Sequence, residues 1–155
     1  MSNSTMVVPL KYKIEHAGID QAFKAYTRRL KYGNAVLLNS ETNLRTYRVA
    51  CNLPQWLKKI IKLENFMIEE QINIMKDKRM FTVVSQHTLP IVKANFTSTV
   101  SFLEDESKST VVFGNVRIKN IPTALKKLAN NKMVKWIETN FMLDRKQEAN
   151  YIYET

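Results

Sequence analysis

The stretch FMIEEQINIMKDKRMFTVVSQHT, residues 66–88, decides the fold. Apolar and polar residues alternate through its first half, so that Phe66, Ile68, Ile72 and Ile74 share one face, as in a half-buried strand. Four polar residues, KDKR, then turn the chain, and MFTVVSQHT returns as the partner strand. The stretch therefore predicts an antiparallel β-hairpin.

The alternating pattern extends to both sides of this hairpin, from about Val36 to Lys119. Two more strands, IVKANFTSTVSFL and STVVFGNVRIK, flank the acidic turn EDES, and the segment Asn43 to Lys62 reads as a strand followed by a short apolar helix. The centre of the chain is thus predicted to form a run of antiparallel strands.

Helical spacing appears on either side of the strands. Near the N-terminus, DQAFKAYTRRLK puts Phe23, Tyr26 and Leu30 on one stripe, with Asp20 as the predicted N-cap. After Pro122, apolar residues recur at helical spacing through roughly 25 residues, up to Phe141 and beyond. We predict one α+β domain over residues 1–155, in which a curved antiparallel sheet of about six to seven strands is closed by a long C-terminal helix. That helix either fills the concave side of the sheet or leaves a cavity for an apolar ligand.

The composition favours anionic binding partners and excludes several kinds of metal-binding and phosphate-binding site. The chain has 24 Lys and Arg against 14 Asp and Glu, and the net charge of +10 suits nucleic acid, acidic proteins or phospholipid headgroups. The single cysteine, Cys51, excludes a disulfide framework and a Cys-rich metal site, and three glycines cannot build a phosphate-binding loop. His16 and His87 lack neighbours at metal-ligand spacing. We therefore predict no cofactor, no metal ion and, without a long apolar run, no transmembrane span.

Acidic and basic residues on the strands are the remaining candidates. Glu69 and Glu70 are adjacent and point to opposite faces, so they do not form an acid/base pair. Glu70 interrupts the apolar face, where it is either a buried acceptor for an arginine or a residue at an edge or cavity. In LRTYRVA, Arg45 and Arg48 lie on opposite faces, so one of them points to the side that the helices cover. An inward arginine needs an anion, such as a phosphate, or else a partly buried ion pair with Glu70 or Asp144, or a place at a sheet edge.

The segment LRTYR, followed by LPQWL at residues 53–57, resembles the PRELI/slowmo family of mitochondrial intermembrane-space phospholipid transfer proteins. The later strands and the pair Trp136 and Phe141 follow in the family's order, so the resemblance covers roughly residues 8–151. The resemblance implies a helix-grip carrier that encloses one anionic phospholipid, phosphatidic acid or phosphatidylserine, and performs no covalent chemistry. It also implies a small helical partner protein with twin Cys-x9-Cys motifs and a place in the mitochondrial intermembrane space.

The resemblance also suggests the residues that bind the headgroup. Arg48 matches the family arginine that meets the lipid phosphate, with Arg45 as its outward partner. A basic residue of the first helix corresponds to Arg28 or Arg29. In the C-terminal segment DRKQ, Asp144 stands where an Asn is common, Gln147 replaces a common Lys, and Lys146 is the compensating cation. The family's Tyr-Pro-Asn-Pro after the first helix is absent and two loops are shorter, so headgroup preference does not transfer.

A lid is predicted in the segment PQWLKKIIK. Its apolar and basic residues suit either a helix that covers the cavity and touches an anionic bilayer, or a short helix packed on the core. The residues assigned to the lid are Trp56, Leu57, Lys58, Lys59 and Ile60.

Two other classes of function compete with the carrier. A cationic nucleic-acid-binding module explains the charge but lacks interleaved exposed aromatics, and a hydrolase or isomerase lacks a nucleophile-base pair.

Overall fold

A computed structural model of the protein describes residues 4–28, 35–41, 44–50, 65–88, 95–121 and 123–154, and side chains for 5–28, 68–86, 95–121 and 132–154. In chain order, the elements are β1 (Ser4–Ile14), α1 (Ile19–Thr27), β2 (Ala35–Glu41), β3 (Leu44–Ala50), β4 (Asn65–Met75), β5 (Met80–Thr88), β6 (Asn95–Glu104), β7 (Thr110–Ile121) and α2 (Thr123–Glu154). This order of strand, helix, six strands and long helix confirms the predicted arrangement.

The strands form one curved, antiparallel sheet in the order β1-β7-β6-β5-β4-β3-β2. Strands β2 to β7 follow one another as neighbours, and β1 joins β7 at the far side, so β1 and β2 lie at the two edges. The predicted hairpin is confirmed as β4 and β5, which pair from Glu69 opposite Gln86 to Met75 opposite Met80. A single 3-10 turn at Lys76–Lys78 and Arg79 in the left-handed region, with φ 47°, close it.

The start of α1 differs from the prediction. The N-cap is Gly18, whose N–H donates to the side chain of Gln21 at 3.0 Å, and the helix begins at Ile19 rather than after Asp20. The Ile19 N–H donates to the Glu104 carboxylate at 3.0 Å, across 85 residues of sequence. One orphan donor at the start of the helix, the Ile19 N–H, is therefore satisfied by a strand end that local sequence does not reveal.

Both helices pack on the same face of the sheet, which we call the inner face. An aromatic cluster forms its centre. The Phe81 and Phe102 rings are stacked with their centroids 4.3 Å apart, and the Tyr26 ring of α1 packs edge-on against Phe102 with the centroids 5.5 Å apart. Farther along α2, the Phe141 ring lies on Gly114 of β7, where an added Cβ would come within 2.7 Å of the ring. Close approach of helix to strand at this point depends on the glycine.

Candidate functional site

Buried polar residues lie on the inner face of the sheet. The side chain of Glu70 in β4 is buried, with 1% of the residue exposed, and it accepts a hydrogen bond from the Tyr26 hydroxyl of α1. A carboxylate without solvent requires such a donor. Glu70 is thus a buried acceptor, as one of its two readings expected, although that reading expected an arginine and the donor described is the Tyr26 hydroxyl of α1.

A row of polar positions crosses the sheet at the level of Glu70. The register places Ser85 of β5 directly opposite Glu70, and Ser98 of β6 directly opposite Ser85. Residues that pair directly across strands share a face, so both hydroxyls lie on the inner face. On the other side of β4, Arg45 of β3 is the backbone partner of Glu70. We call these four positions, Arg45, Glu70, Ser85 and Ser98, the inner polar row.

The same register places the two arginine positions of β3. Arg48 pairs with Met67, an odd-numbered position of β4 that alternates with Glu70, and it therefore falls on the outer face. The backbone register thus aligns position 45, rather than position 48, with Glu70. The side chains of both arginines lie outside the described residues, and the headgroup role of Arg48 stays a prediction. Alternation in the sequence separates the two arginine positions, and the pairing of β3 with β4 adds which of them is aligned with the buried Glu70.

A second buried charge pair lies on α2. The guanidinium of Arg145 donates two hydrogen bonds to Glu148, at 2.7 and 2.6 Å, and only 3% and 1% of the two side chains are exposed. The guanidinium also lies over the rings of Phe102 and Phe141, 5.1 and 4.9 Å from their centroids. Phe102 thus contacts both Arg145 and Tyr26. The Arg145–Glu148 pair and the Tyr26–Glu70 pair therefore lie on two sides of the same aromatic cluster.

Sequence reasoning missed Arg145 and Glu148, although a signal was present. Starting from Phe141, helical spacing of i, i+4, i+7 and i+11 runs through Arg145, Glu148 and Ile152, and all four are buried. The neighbouring residues chosen instead differ in position, since Lys146 is exposed and Asp144 is half-buried. Lys146 is thus on the solvent side of the helix and does not line the inner face.

Of the other predicted site residues, the structure describes Arg28 but not Arg29 or the lid. Arg28, which follows α1, is exposed and donates to the Tyr151 hydroxyl of α2 at 3.2 Å. It therefore ties the two helices together. Arg29 and the predicted lid, residues 56–60, lie outside the described residues, and their roles stay predictions.

Burial changes along the inner face. Toward the β4–β5 hairpin, Ile72, Val83 and Phe102 are at most 5% exposed. Farther from the hairpin the pattern is mixed. The inner-facing Ile68, Ser85 and Ser98 are only half-buried, as is Val100 beside Val83, whereas Glu70 and Phe96 are 1% and 3% exposed. A half-buried stretch around Ser85 and Ser98 therefore lies between buried parts of the inner face.

A separate groove of about 320 Å³ opens at the hairpin end of α1. Apolar side chains, including Phe23, Ile74, Met75 and Met80, make up most of its wall. In the described part of the chain, no cluster of His, Cys, Asp and Glu is arranged to hold a metal ion. None of the described helices has the length and hydropathy of a membrane-spanning segment.

Comparison with known proteins identifies the fold. No family model and no curated protein sequence matches the chain. A crystal structure of a protein from Thermus thermophilus is similar with a TM-score of 0.69 at 12% identity, covering 96% of this chain and 98% of that one. The Zhui aromatase/cyclase from a Streptomyces species has a TM-score of 0.69 at 11% identity, over 97% and 94% of the two chains. The chain shares the helix-grip fold of these structures.

Truncated norcoclaurine synthase from Thalictrum flavum is similar as well, with a TM-score of 0.66 at 11% identity over 100% of this chain and 98% of that one. The predicted helix-grip fold is therefore confirmed. Identities of 11 to 12% show the fold alone. None of the three named structures is a PRELI/slowmo protein, and that resemblance stays a prediction.

Proposed function

We propose that the protein is a carrier that holds one anionic phospholipid, phosphatidic acid or phosphatidylserine, between the inner face of the sheet and α2. The observation that carries the proposal is the half-buried stretch of the inner face beside the inner polar row. A site for an amphiphile needs apolar walls and a few convergent polar groups at one place, and this stretch combines them. Val100 and Ile68 supply apolar surface, and Ser85 and Ser98 supply hydroxyl donors.

Charge balance restricts where a phosphate can bind. Glu148 already neutralises Arg145 through two hydrogen bonds, so this arginine has little left for a lipid headgroup. Glu70 would repel a phosphate unless a cation lies beside it. Position 45 is the backbone neighbour of Glu70 and belongs to an arginine, the side chain best suited to a phosphate. We assign the headgroup contact to Arg45, together with Ser85 and Ser98.

Two further lines support a carrier of this kind. Norcoclaurine synthase, which has the same fold, has been crystallised in complex with dopamine and hydroxybenzaldehyde, at a TM-score of 0.61 and 11% identity over 99% of this chain and 89% of that one. The resemblance to the PRELI/slowmo family points to anionic lipid, and the net charge of +10 suits an anionic ligand. From that resemblance we propose transfer between mitochondrial membranes, a twin Cys-x9-Cys helical partner in the intermembrane space, and no covalent chemistry.

The first test is native mass spectrometry of the purified protein, followed by identification of the lipids released on denaturation. We expect one anionic phospholipid per chain. A protein that purifies without lipid and takes up none from vesicles containing phosphatidic acid or phosphatidylserine would contradict the carrier function.

The second test compares the two arginines of β3 as a matched pair. Arg45→Gln should reduce transfer of fluorescent phosphatidic acid between vesicles by roughly tenfold or more, since a hydrogen bond to a charged group contributes about 1.5–3 kcal/mol. Arg48→Gln, three positions away at a site on the outer face, should leave transfer close to wild type. The opposite result would return the headgroup contact to Arg48.

A further inference from the structure

The outer face of the sheet carries a basic and apolar surface on β1 and β7. We call it the outer basic patch, and it consists of Val7, Lys11, Phe113, Arg117 and Lys119. Lys11 pairs with Phe113 across the two strands, and Val7 pairs with Arg117, so these four side chains share one face. Val7 and Phe113 are 46% and 45% exposed, although their sequence neighbours Val8 and Val112 are buried on the inner face.

The cations of the patch are not neutralised by the part of the chain that the structure describes. Among the described side chains, no carboxylate lies within ion-pair distance of Lys11, Arg117 or Lys119, whereas Lys13, beyond the end of the patch, pairs with Asp105 at 3.4 Å. The outward positions described on β1, β5, β6 and β7 include no Asp or Glu. The Lys11 ammonium lies 5.5 Å from the centre of the Phe113 ring, so a cation and an exposed aromatic ring form one unit.

We infer that the outer basic patch is a docking surface for an anionic lipid bilayer. A bilayer interface accepts aliphatic and aromatic side chains into its headgroup region while anionic lipids attract the surrounding lysines and arginines. The patch offers this combination in Val7 and Phe113, with three cations beside them. Next to it, β6 presents Thr97, Thr99 and Ser101, whose hydroxyls can bond to headgroup phosphates.

A bilayer fits this surface better than a single-stranded nucleic acid does. Binding of single strands relies on several aromatic rings on which successive bases stack. Phe113 is the one aromatic ring among the described outward side chains of β1, β5, β6 and β7, and the second protruding apolar residue, Val7, is aliphatic. The inference rests on the proposed carrier function and adds to it a membrane contact formed by described strands, separate from the predicted lid.

The test is flotation with vesicles of phosphatidylcholine, with and without phosphatidylserine. The wild type should float only with the anionic vesicles, and added salt should weaken the attachment. The double variant Lys11→Gln with Arg117→Gln should lower the partition coefficient roughly twenty-five-fold, because each cation near such a surface contributes a factor of about five at low salt. Phe113→Thr should weaken attachment even when salt is high, since its contribution is apolar.

A matched control removes two charges elsewhere. Lys76→Gln with Lys78→Gln lowers the net charge equally, at exposed positions of the β4–β5 turn, and should leave attachment near the wild-type value. Equal losses in both double variants would overturn the inference, because they would reflect net charge alone. Tighter, Phe113-dependent binding to a single-stranded oligonucleotide than to anionic vesicles would overturn it in favour of nucleic acid. A dimer in sedimentation that Phe113→Thr dissociates would overturn it in favour of a second copy of the chain.

Lipid content separates this inference from the proposed function. Native mass spectra of the patch variants should still show one phospholipid per chain, because the patch and the inner face lie on opposite sides of the sheet. Variants that float normally while the wild type carries lipid would leave the carrier function standing and remove the docking surface. If the wild type carried no lipid but its flotation still depended on the patch, the docking surface would stand and the carrier function would fall.

Discussion

Two parts of the inner face are packed differently, although they lie on the same strands. At the hairpin end, Phe81 and Phe102 are stacked and at most 1% exposed, and Tyr26 closes over them. Farther from the hairpin, Ser85 and Ser98 are only half-buried, whereas Phe96, two residues beyond Ser98 on β6, is 3% exposed. On β5, the change from Val83, which is 1% exposed, to Ser85 takes two residues. The half-buried serines thus lie between the aromatic cluster and a second buried cluster that includes Phe96 and Ile118. The proposed ligand would contact the sheet at these serines.

The largest effect on stability is expected from Phe102→Ala at the hairpin end. This side chain is fully buried, and its ring contacts Phe81, Tyr26 and the guanidinium of Arg145. Its loss should lower the free energy of unfolding by about 3–5 kcal/mol, because a cavity replaces an aromatic ring in a closed cluster. Urea denaturation followed by circular dichroism measures the change.

Val100→Ala is the matched control for this prediction. Val100 lies two residues away on the same strand and face, but it is half-buried. Its truncation should cost clearly less than that of Phe102, since the space around it is already accessible to solvent. Equal losses per removed methylene group at the two positions would mean that the two parts do not differ in packing.

Much of this architecture could be predicted from the sequence, because local periodicity carries it. The period of two in residues 66–88 indicates the hairpin, and helical spacing through Phe141 indicates the closing helix. The candidate site depends on pairings that local patterns do not contain. Alternation separates Arg45 from Arg48, but the pairing of β3 with β4 was needed to place Arg45 beside Glu70. The donor to Glu70, Tyr26, comes from a helix 44 residues earlier in the chain.

A smaller effect, with a pH dependence, is expected from Glu104→Gln. The Glu104 carboxylate accepts hydrogen bonds from Arg79 of the hairpin and from the Ile19 N–H of α1, and so holds three elements at the hairpin end together. The hydrogen bonds from Arg79 and from the Ile19 backbone lower the pKa of this carboxyl below its ordinary value. A lowered pKa stabilises the folded state above the pKa of the unfolded chain, and this stabilisation is lost as the pH falls through the folded pKa.

The variant should therefore be less stable than the wild type at neutral pH and show a shallower loss of stability in acid. Urea denaturation at neutral and acidic pH measures both. Glu106→Gln, an exposed carboxyl two residues away, is the control and should change neither quantity appreciably. If Glu104→Gln kept the acid dependence of the wild type, the stabilisation would have to come from other carboxyls.

The smallest effect on stability, and the sharpest test of the half-buried stretch, is expected from Ser98→Leu. Ser98 lies on the inner face in a half-buried position, so a larger apolar side chain has room and should change the free energy of unfolding by only about 0.5 kcal/mol. The same side chain would occupy the space beside Glu70 and Ser85, and phospholipid uptake from vesicles should fall several-fold. Asn73→Leu places an identical side chain on the outer face of β4, away from the outer basic patch, and should leave uptake unchanged. If both variants took up lipid equally well, the ligand would have to bind away from the inner polar row, and the half-buried serines would be a solvated part of the sheet rather than the floor of a site.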